Sequence, residues 1–439
     1  MTTTPQRLFG TDGVRGIAGT ELTAELAVGL GRAAALQAPA ERPQVLIVRD
    51  TRESGPMLES ALASGVAEGG GDAWLAGVLP TPGASILVRR HGLDLAAVVS
   101  ASHNPWQHNG IKFFGPDGRK LDDELEEGIA ALALEDGSRE PSVGRVRQLD
   151  GALDDYLREL LSVFDLDLPG LRVALDCANG ATYRAAPAAF ERLGATVRAI
   201  SAEPDGRNIN EGCGSVHPER LAEEVSSGDA EIGFAFDGDG DRVIAIDREG
   251  GVRDGDELIA LCAHHLSEAG RLNGGVVVTV MSNYGFHQAL ADAEIEVATT
   301  PVGDRHVATE LERRGWVLGG EQSGHIIWEE LGPTGDGIAA ALLAIRALGG
   351  RDLGEAIPMK RLPQVLENVE IANHGALERT AAVWEAVERE EASLEGRGRV
   401  LVRASGTEPL VRVMVEAPTE EECRKVATRL VELIHQELR

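Results

Sequence analysis

IGFAFDGDGDR, Ile232–Arg242, is an apolar run that ends in three carboxylates at alternate positions, Asp237, Asp239 and Asp241. Gly238 and Gly240 stand between them and offer nothing to relieve their mutual repulsion, so the segment calls for a cation. A set made only of oxygen ligands favours Mg²⁺ or Ca²⁺ over zinc or copper. It is not an EF-hand loop: counted from Asp237, the sixth position is Arg242 where Gly is needed, and the twelfth is Arg248 where Glu is needed. A short acidic loop with an arginine beside the metal suits a phosphate-handling magnesium site.

The run from Ile232 is the third apolar segment of a plan that occurs three times. Each copy opens with a β-branched run: VLIV from Val45, VAL from Val173, VVVTV from Val276. A polar or Gly-containing loop follows (DTRESG, DCANGA, SNYG), then an Ala-rich helical stretch, then a second run (AWLAGV, ATVRAI, IEVATT). Strand, helix and strand of these lengths read as a βαβ unit. A third short run then ends in a polar cluster: LAAVVS into SASHNP, IGFAF into DGDGDR, WVLGG into EQSGH. Ligands of open α/β sheets bind beyond the carboxyl ends of strands, so the three clusters can share one catalytic centre. Past Pro363 the pattern becomes alternating, with VLVR from Val400 and LVRVMVE from Leu410 joined by ASGTEP. A helix opened by Thr419, with Glu422 three residues on, follows it. The expected architecture is α/β: three similar mixed-sheet α/β domains, 1–150, 151–252 and 253–363, and a smaller α+β domain, 364–439.

Bulk composition narrows the function classes. A chain of 439 residues is too long for one core, and with 4% aromatics its packing must be aliphatic and Ala-based. Lys and Arg total 42 against 71 Asp and Glu, a net charge of −29, which excludes nucleic acid and membrane surfaces as main partners. That bulk field is screened over about 8 Å at physiological salt, so local arginines can still draw an anionic substrate. The start, MTTTPQRLFG, lacks a cationic-then-apolar leader, and no uncharged apolar run reaches spanning length. Cys177, Cys213, Cys262 and Cys423 have no CxxC spacing and read as free buried thiols; a cytoplasmic location is expected. Neither GxxxxGK[ST] nor GxGxxG after a strand occurs, so ATP or NAD dependence is not indicated.

SASHNPWQHNGIKFF places Ser102 beside His103 after an apolar strand. A serine hydrolase needs its base across space, and the chain holds no GxSxG elbow, so Ser102 is a different kind of nucleophile. Near a magnesium loop, a serine can carry a phosphoryl group. A phosphoserine brings about −1.5 to −2 charges near neutral pH, and with three aspartates and one Mg²⁺ the cluster stays about three units negative. Cations must converge on it. Lys112, one of only four lysines, Arg242 beside the metal loop and Arg15 in FGTDGVRG are the candidates. GEQSGH, Gly320–His325, supplies Glu321, Gln322 and Ser323 for sugar hydroxyls and His325 for proton transfer. RASGTEPLVR offers Arg403, Ser405, Gly406, Thr407 and Arg412 as a phosphate cradle.

In order, FGTDGVRG, SASHNP with NGIK, DGDGDR, the GDR of TPVGDRHV, GEQSGH and RASGTEP resemble the motifs of the α-D-phosphohexomutases, across nearly the whole chain. Gln322 in the sugar loop resembles the branch that acts on glucosamine phosphates. The resemblance implies four domains around a central cleft and a phosphoserine enzyme that converts glucosamine 6-phosphate into glucosamine 1-phosphate through a bound glucosamine 1,6-bisphosphate, which also serves as activator. By motif, Ser102 would carry the phosphoryl group, and Asp237, Asp239 and Asp241 would hold Mg²⁺ together with the serine phosphate. Glu321 and Ser323 would contact sugar hydroxyls, while Arg403, Ser405, Gly406, Thr407 and Arg412 would grip the distal phosphate. Trp106, Gln107 and His108 depart from the family pattern, as does His306 after GDR. Glucose and mannose phosphates stay open as substrates, and a Mg-dependent sugar phosphatase is the rival reaction class. The expected partner is a small-molecule phosphosugar. Oligomeric state is not set by the sequence, and a homodimer is compatible with it.

Overall fold

The computed structural model describes residues 8–10, 12–135, 143–371, 376–404 and 410–438. By its packing the chain divides into two compact units, Met1–Met281 with Ile295–Ile357, and Ser282–Glu294 with Pro358–Arg439.

The first unit holds three sheets. The first sheet contains β1 (Val14–Ile17), β2 (Gln44–Arg49), β3 (Asp72–Val78), β4 (Leu95–Val99), β5 (His108–Phe114) and β6 (Val146–Gln148), in the order β1-β5-β4-β2-β3-β6. The second runs β11-β10-β9-β7-β8, from β7 (Arg172–Asp176), β8 (Thr196–Ile200), β9 (Ile232–Phe236), β10 (Val243–Ile246) and β11 (Val252–Arg253). The third runs β13-β12-β14-β15, from β12 (Gly275–Thr279), β13 (Glu296–Thr300), β14 (Leu318–Gly320) and β15 (Ile326–Trp328). The runs predicted as strands in all three copies are strands, and the first two of each copy pair in parallel.

Each sheet departs from a pure parallel plan through one reversed strand, β5, β10 or β15, and in the first two sheets that strand pairs antiparallel on both sides. The third strand of each copy pairs with an antiparallel return: β4 with β5, β9 with β10, β14 with β15. The connections between those partners are the three polar clusters. The loop that carries Ser102, the aspartate triplet and the EQSGH loop are therefore equivalent turns at equivalent strand ends. An isolated bridge between Arg242 and His325 ties the second loop to the third.

Small residues set the packing, as the low aromatic content requires. The helices Ala24–Gln37 and Gly55–Glu68 cross with Gly31 and Gly65 in contact with the opposite backbone. A Cβ on Gly31 would lie 2.1 Å from the Leu62 carbonyl oxygen, and one on Gly65 would lie 2.0 Å from that of Val28. Neither helix could approach as closely with alanine there. All five residues of β4, LAAVV, are buried, as befits a strand covered on both faces.

The helix Gly337–Leu348 is capped by Asp336, whose Oδ1 accepts from the backbone N–H of Ile338 and Ala339 at 3.0 Å each. Tyr156 donates its hydroxyl to Asp336 Oδ2 at 2.9 Å. Burial outweighs these bonds and pushes the Asp336 carboxyl up to about 6. A carboxyl raised by folding stabilises the fold at acid pH and loses that contribution as pH climbs from about 4 through 6. A rise of this size corresponds to about 3 kcal/mol. Asp336→Asn keeps a good cap and buries no charge. Urea unfolding should find the variant about 1–3 kcal/mol more stable than wild type at pH 8 and no more stable at pH 4; an equal difference at both pH values would contradict this.

The second unit carries the alternating tail as a three-stranded antiparallel sheet, β16 (Gln364–Glu370), β17 (Arg399–Ala404) and β18 (Leu410–Glu416), in the order β16-β18-β17. The helices Ala381–Ser393 and Glu420–Leu438 cover it with an aliphatic core that includes Val411, Val413, Val415, Val426 and Leu430. Thr419 Oγ1 accepts from the Glu422 N–H at 3.2 Å, as its spacing predicts. Residues 282–294 join this unit through Glu416, which is wholly buried and accepts from Tyr284 N (2.8 Å), Asn283 Nδ2 (3.2 Å) and Arg399 Nε (2.7 Å). No helix among the described residues is long and apolar enough to cross a membrane. The four cysteines are free and buried.

Candidate active site

Ser102 lies in the connection from β4 to β5, with φ of 51°. That left-handed conformation costs a residue with a Cβ about 1–2 kcal/mol and persists only where the surroundings enforce it. Its hydroxyl donates to Asp237 Oδ2 at 2.5 Å, across 135 residues of sequence. Two of the three repeats thus meet at the pair of groups singled out from sequence.

The aspartates take distinct positions on the turn between β9 and β10. Asp237 Oδ1 accepts from Gly240 N (3.0 Å) and Arg242 N (3.2 Å), which closes the turn. Asp239 Oδ2 accepts from Thr81 Oγ1 at 2.6 Å and from Lys112 Nζ at 2.8 Å. Lys112 projects from β5, is 3% exposed, and also stands 3.8 Å from Asp241 Oδ2. Burial and then the charges of Asp241 and Asp239 push the Asp237 carboxyl well up. Burial acts on Asp241 in the same sense, but His325, Lys112 and Arg242 overcome it and hold that carboxyl far below the usual range.

This donor set fits a hard divalent cation. Ligand oxygens of the three buried aspartates lie within 4.8 Å of one another. Asp239 Oδ1 and Asp241 Oδ1 are buried and accept no hydrogen bond. Buried carboxylate oxygens left without donors are costly, and an oxygen-seeking cation satisfies both at once.

The cations expected near the site are there. Arg242 stands beside the triplet with Nε 3.8 Å from Asp241 Oδ1, and its guanidinium lies 3.4 Å from His103 Nδ1. Arg15, on β1, pairs with Asp12 and lines a cleft of about 660 Å³ together with His103, Asp241, Arg242, Glu321 and His325. His325 is 2% exposed, with Nδ1 3.6 Å from Asp241 Oδ2 and Nε2 3.8 Å from Asp304 Oδ2. Burial disfavours its charge, yet Asp241 and Asp304 outweigh burial and hold the imidazole above its ordinary value. Lys112 is likewise kept charged, since three neighbouring carboxylates overcome its burial.

In the sugar loop, Glu321 Oε1 accepts from Gly303 N at 3.0 Å, which links EQSGH to the GDR segment. Ser323 is exposed on the same turn. Arg403 and Arg412 belong to the second unit, where they are direct partners across β17 and β18. Ser405, Gly406 and Thr407 lie outside the described residues.

Sequence reasoning passed over a second chain of charges. Lys120 Nζ lies 2.5 Å from both Asp12 Oδ1 and Asp304 Oδ2, so it joins FGTDGVRG to GDR behind His325. The signal was present in the scarcity of lysine: of four, two enter this cluster. Thr81 carried no signal, because it opens a helix in an unremarkable TPG stretch.

The chain matches the models of all four phosphoglucomutase/phosphomannomutase domains. The first α/β/α domain matches residues 6–140, the second 154–251, the third 254–362, and the C-terminal domain 366–433. The chain belongs to the phosphoglucomutase/phosphomannomutase family. A phosphoglucosamine mutase of Desulforudis audaxviator is 50% identical over 438 residues, which is 97% of each chain. A family protein from Burkholderia thailandensis superposes with a TM-score of 0.83 at 25% identity, over 100% of this chain and 99% of that one. Aspergillus fumigatus N-acetylphosphoglucosamine mutase, in complex with GlcNAc-6P and magnesium, superposes with a TM-score of 0.70 over 98% and 96% of the two chains. At 20% identity that likeness bears on the fold. Within the phosphoglucomutase/phosphomannomutase family, the mixed α/β sheets and the smaller C-terminal domain are thus the expected architecture.

Proposed function

We propose that this chain interconverts glucosamine 6-phosphate and glucosamine 1-phosphate, with Ser102 as the residue that carries the phosphoryl group between turnovers. The observation that supports the chemistry is the Ser102 hydroxyl held 2.5 Å from Asp237 at the mouth of the aspartate triplet. The choice of amino sugar rests on Gln322 in the sugar loop and on the 50% identity to a phosphoglucosamine mutase along nearly the full chain.

In the forward direction the bond from phosphorus to Ser102 Oγ breaks as one to O1 of the 6-phosphosugar forms, and the O1 proton passes to a group in the cleft. The resulting glucosamine 1,6-bisphosphate turns end over end, and its 6-phosphoryl group returns to Ser102 with a proton restored to O6. Bound between Asp237, Asp239, Asp241 and the serine phosphate, Mg²⁺ would neutralise charge on the equatorial oxygens. Arg15 and Arg242 reach the same region from the cleft wall and stabilise charge that develops in transfer. His325, Lys112 and Arg15 are the candidates for the proton; Lys112 and His325 both already face carboxylates. Glu321 and Ser323 hold the sugar hydroxyls.

Arg403 and Arg412, with Ser405, Gly406 and Thr407, take the phosphate not in transfer. Two arginines directly opposite each other repel, and burial with the charge of Arg412 lowers the Arg403 guanidinium.

A substrate panel with purified protein, Mg²⁺ and a trace of hexose 1,6-bisphosphate tests the assignment. Glucosamine phosphate should exceed glucose and mannose phosphates in kcat/KM by at least about 10-fold. A preference for either neutral sugar would overturn the substrate, and release of inorganic phosphate in place of the isomer would make the protein a phosphatase.

A further inference from the structure

Behind Ser102 sits Arg52, whose side chain is wholly buried. A guanidinium has five N–H donors in a fixed fork. Here each meets an acceptor: Asp50 Oδ2 (2.8 Å) and the backbone oxygens of Ser102 (2.8 Å), Asn104 (2.8 Å), His108 (2.9 Å) and Pro105. Asp50 Oδ2 also takes the Ser100 hydroxyl at 2.5 Å, and Ser100 Oγ in turn accepts from Ser102 N at 3.0 Å. Arg52 thus holds the whole turn from β4 to β5 from beneath.

A second donor reaches the same oxygens from the other repeat. Asn210 Nδ2 lies 2.9 Å from the Ser102 carbonyl oxygen and 3.1 Å from that of Asn104, while Asn210 N is anchored to the Ala178 carbonyl at 2.9 Å. Gly238, inside the metal loop, packs on this point: a Cβ there would lie 2.5 Å from the Ser102 oxygen and 2.7 Å from Asn210 Nδ2. Fixing a carbonyl fixes its peptide plane. With Ser102 N held on Ser100 Oγ and φ at 51°, the peptide planes on both sides fix where Cβ points, and the bond to Asp237 Oδ2 fixes Oγ.

We propose that Arg52 and Asn210 are paired positioning residues, which clamp the Ser102 carbonyl from two repeats and so aim its Oγ at the aspartate triplet. The inference rests on the phosphoserine reading above, and its consequence is specific. Both residues are buried and neither is among those that line the cleft, so loss of the clamp should misplace the nucleophile without weakening sugar binding. A misplacement on the order of 1 Å costs about 100-fold in rate.

Arg52→Lys keeps the charge and loses the fork; Asn210→Asp keeps the shape and turns a donor toward two carbonyls into an acceptor. Leu221→Ala, which opens a cavity in the second sheet's core, serves as a control for general destabilisation. Each variant should lose about 100-fold in kcat with KM within about threefold, and amide exchange across residues 101–105 of the metal-free protein should quicken. In Leu221→Ala neither should change. A kcat loss no larger than the control's, or unchanged exchange at 101–105, would overturn the clamp. If Arg52→Lys does not fold, Asn210→Asp decides on the same two readings. Wild-type protein inactive on every hexose phosphate would instead sink the mutase reading, and the exchange data would still judge the clamp.

Discussion

Ser102→Ala should lose mutase activity by a factor on the order of 10⁴ or more while the protein stays folded. The side chain is 2% exposed, and the change removes one oxygen from a site already held by backbone, so packing is little disturbed. On the proposed mechanism, what vanishes is the atom that forms and breaks the bond to phosphorus. In that mechanism the other residues of the cleft stabilise charge, and deleting a residue of that kind costs roughly 10²–10³-fold. A nucleophile has no such substitute, which is why its loss should be the larger. Steady-state assays with hexose bisphosphate supplied in excess check this. Activity within about 100-fold of wild type would remove Ser102 from the mechanism.

Removal of divalent metal should come next in size, with a loss of about 10³-fold that Mg²⁺ restores. The physical ground is the state of the triplet. Two buried oxygens, Asp239 Oδ1 and Asp241 Oδ1, have no donor, and Asp237 is pushed well up by burial and by its two neighbours. A cation that binds the folded site and not the unfolded chain also stabilises the fold, by about 2.7 kcal/mol at a concentration 100 times its Kd. Thermal unfolding should therefore shift upward with Mg²⁺ in wild type. In Asp239→Asn the shift should largely disappear and activity should fall by at least about 10²-fold. A Tm indifferent to Mg²⁺ in wild type, with activity that survives chelation, would contradict a metal at these aspartates.

Much of this was legible because the chemistry sits at the ends of patterned strands. IGFAF and LAAVV are short uninterrupted apolar runs, which only strands covered on both faces can use, and each stops at a polar cluster. Once the repeat was seen, Ser102 and Asp237 fell at equivalent places. Their separation of 2.5 Å is what two such strand ends achieve when they face one cleft. The antiparallel returns β5, β10 and β15 were harder to see. VIAI and IIW are too short to carry a period, and only their pairing with β9 and β14 defines them.

The supporting layer was less visible for a different reason. Asn210, Thr81 and Asp304 act through side chains that cross from one repeat to another, and no local spacing records a partner more than 100 residues away. Arg52 looks like a surface residue in DTRESG, since buried arginines are rare and sequence does not show that five acceptors surround it. Lys112 was easier, because in a chain with four lysines the position of each is informative; Lys120 carried the same signal but was given no role from the sequence.

The most direct measurement is mass spectrometry of the protein after incubation with a hexose 1,6-bisphosphate and Mg²⁺, with digestion and site mapping. A single phosphorylation should appear on the peptide that contains Ser102, and it should be discharged when glucosamine 6-phosphate is added, with glucosamine 1-phosphate formed. Turnover without phosphate on Ser102, or stable phosphate at another residue, would contradict the account.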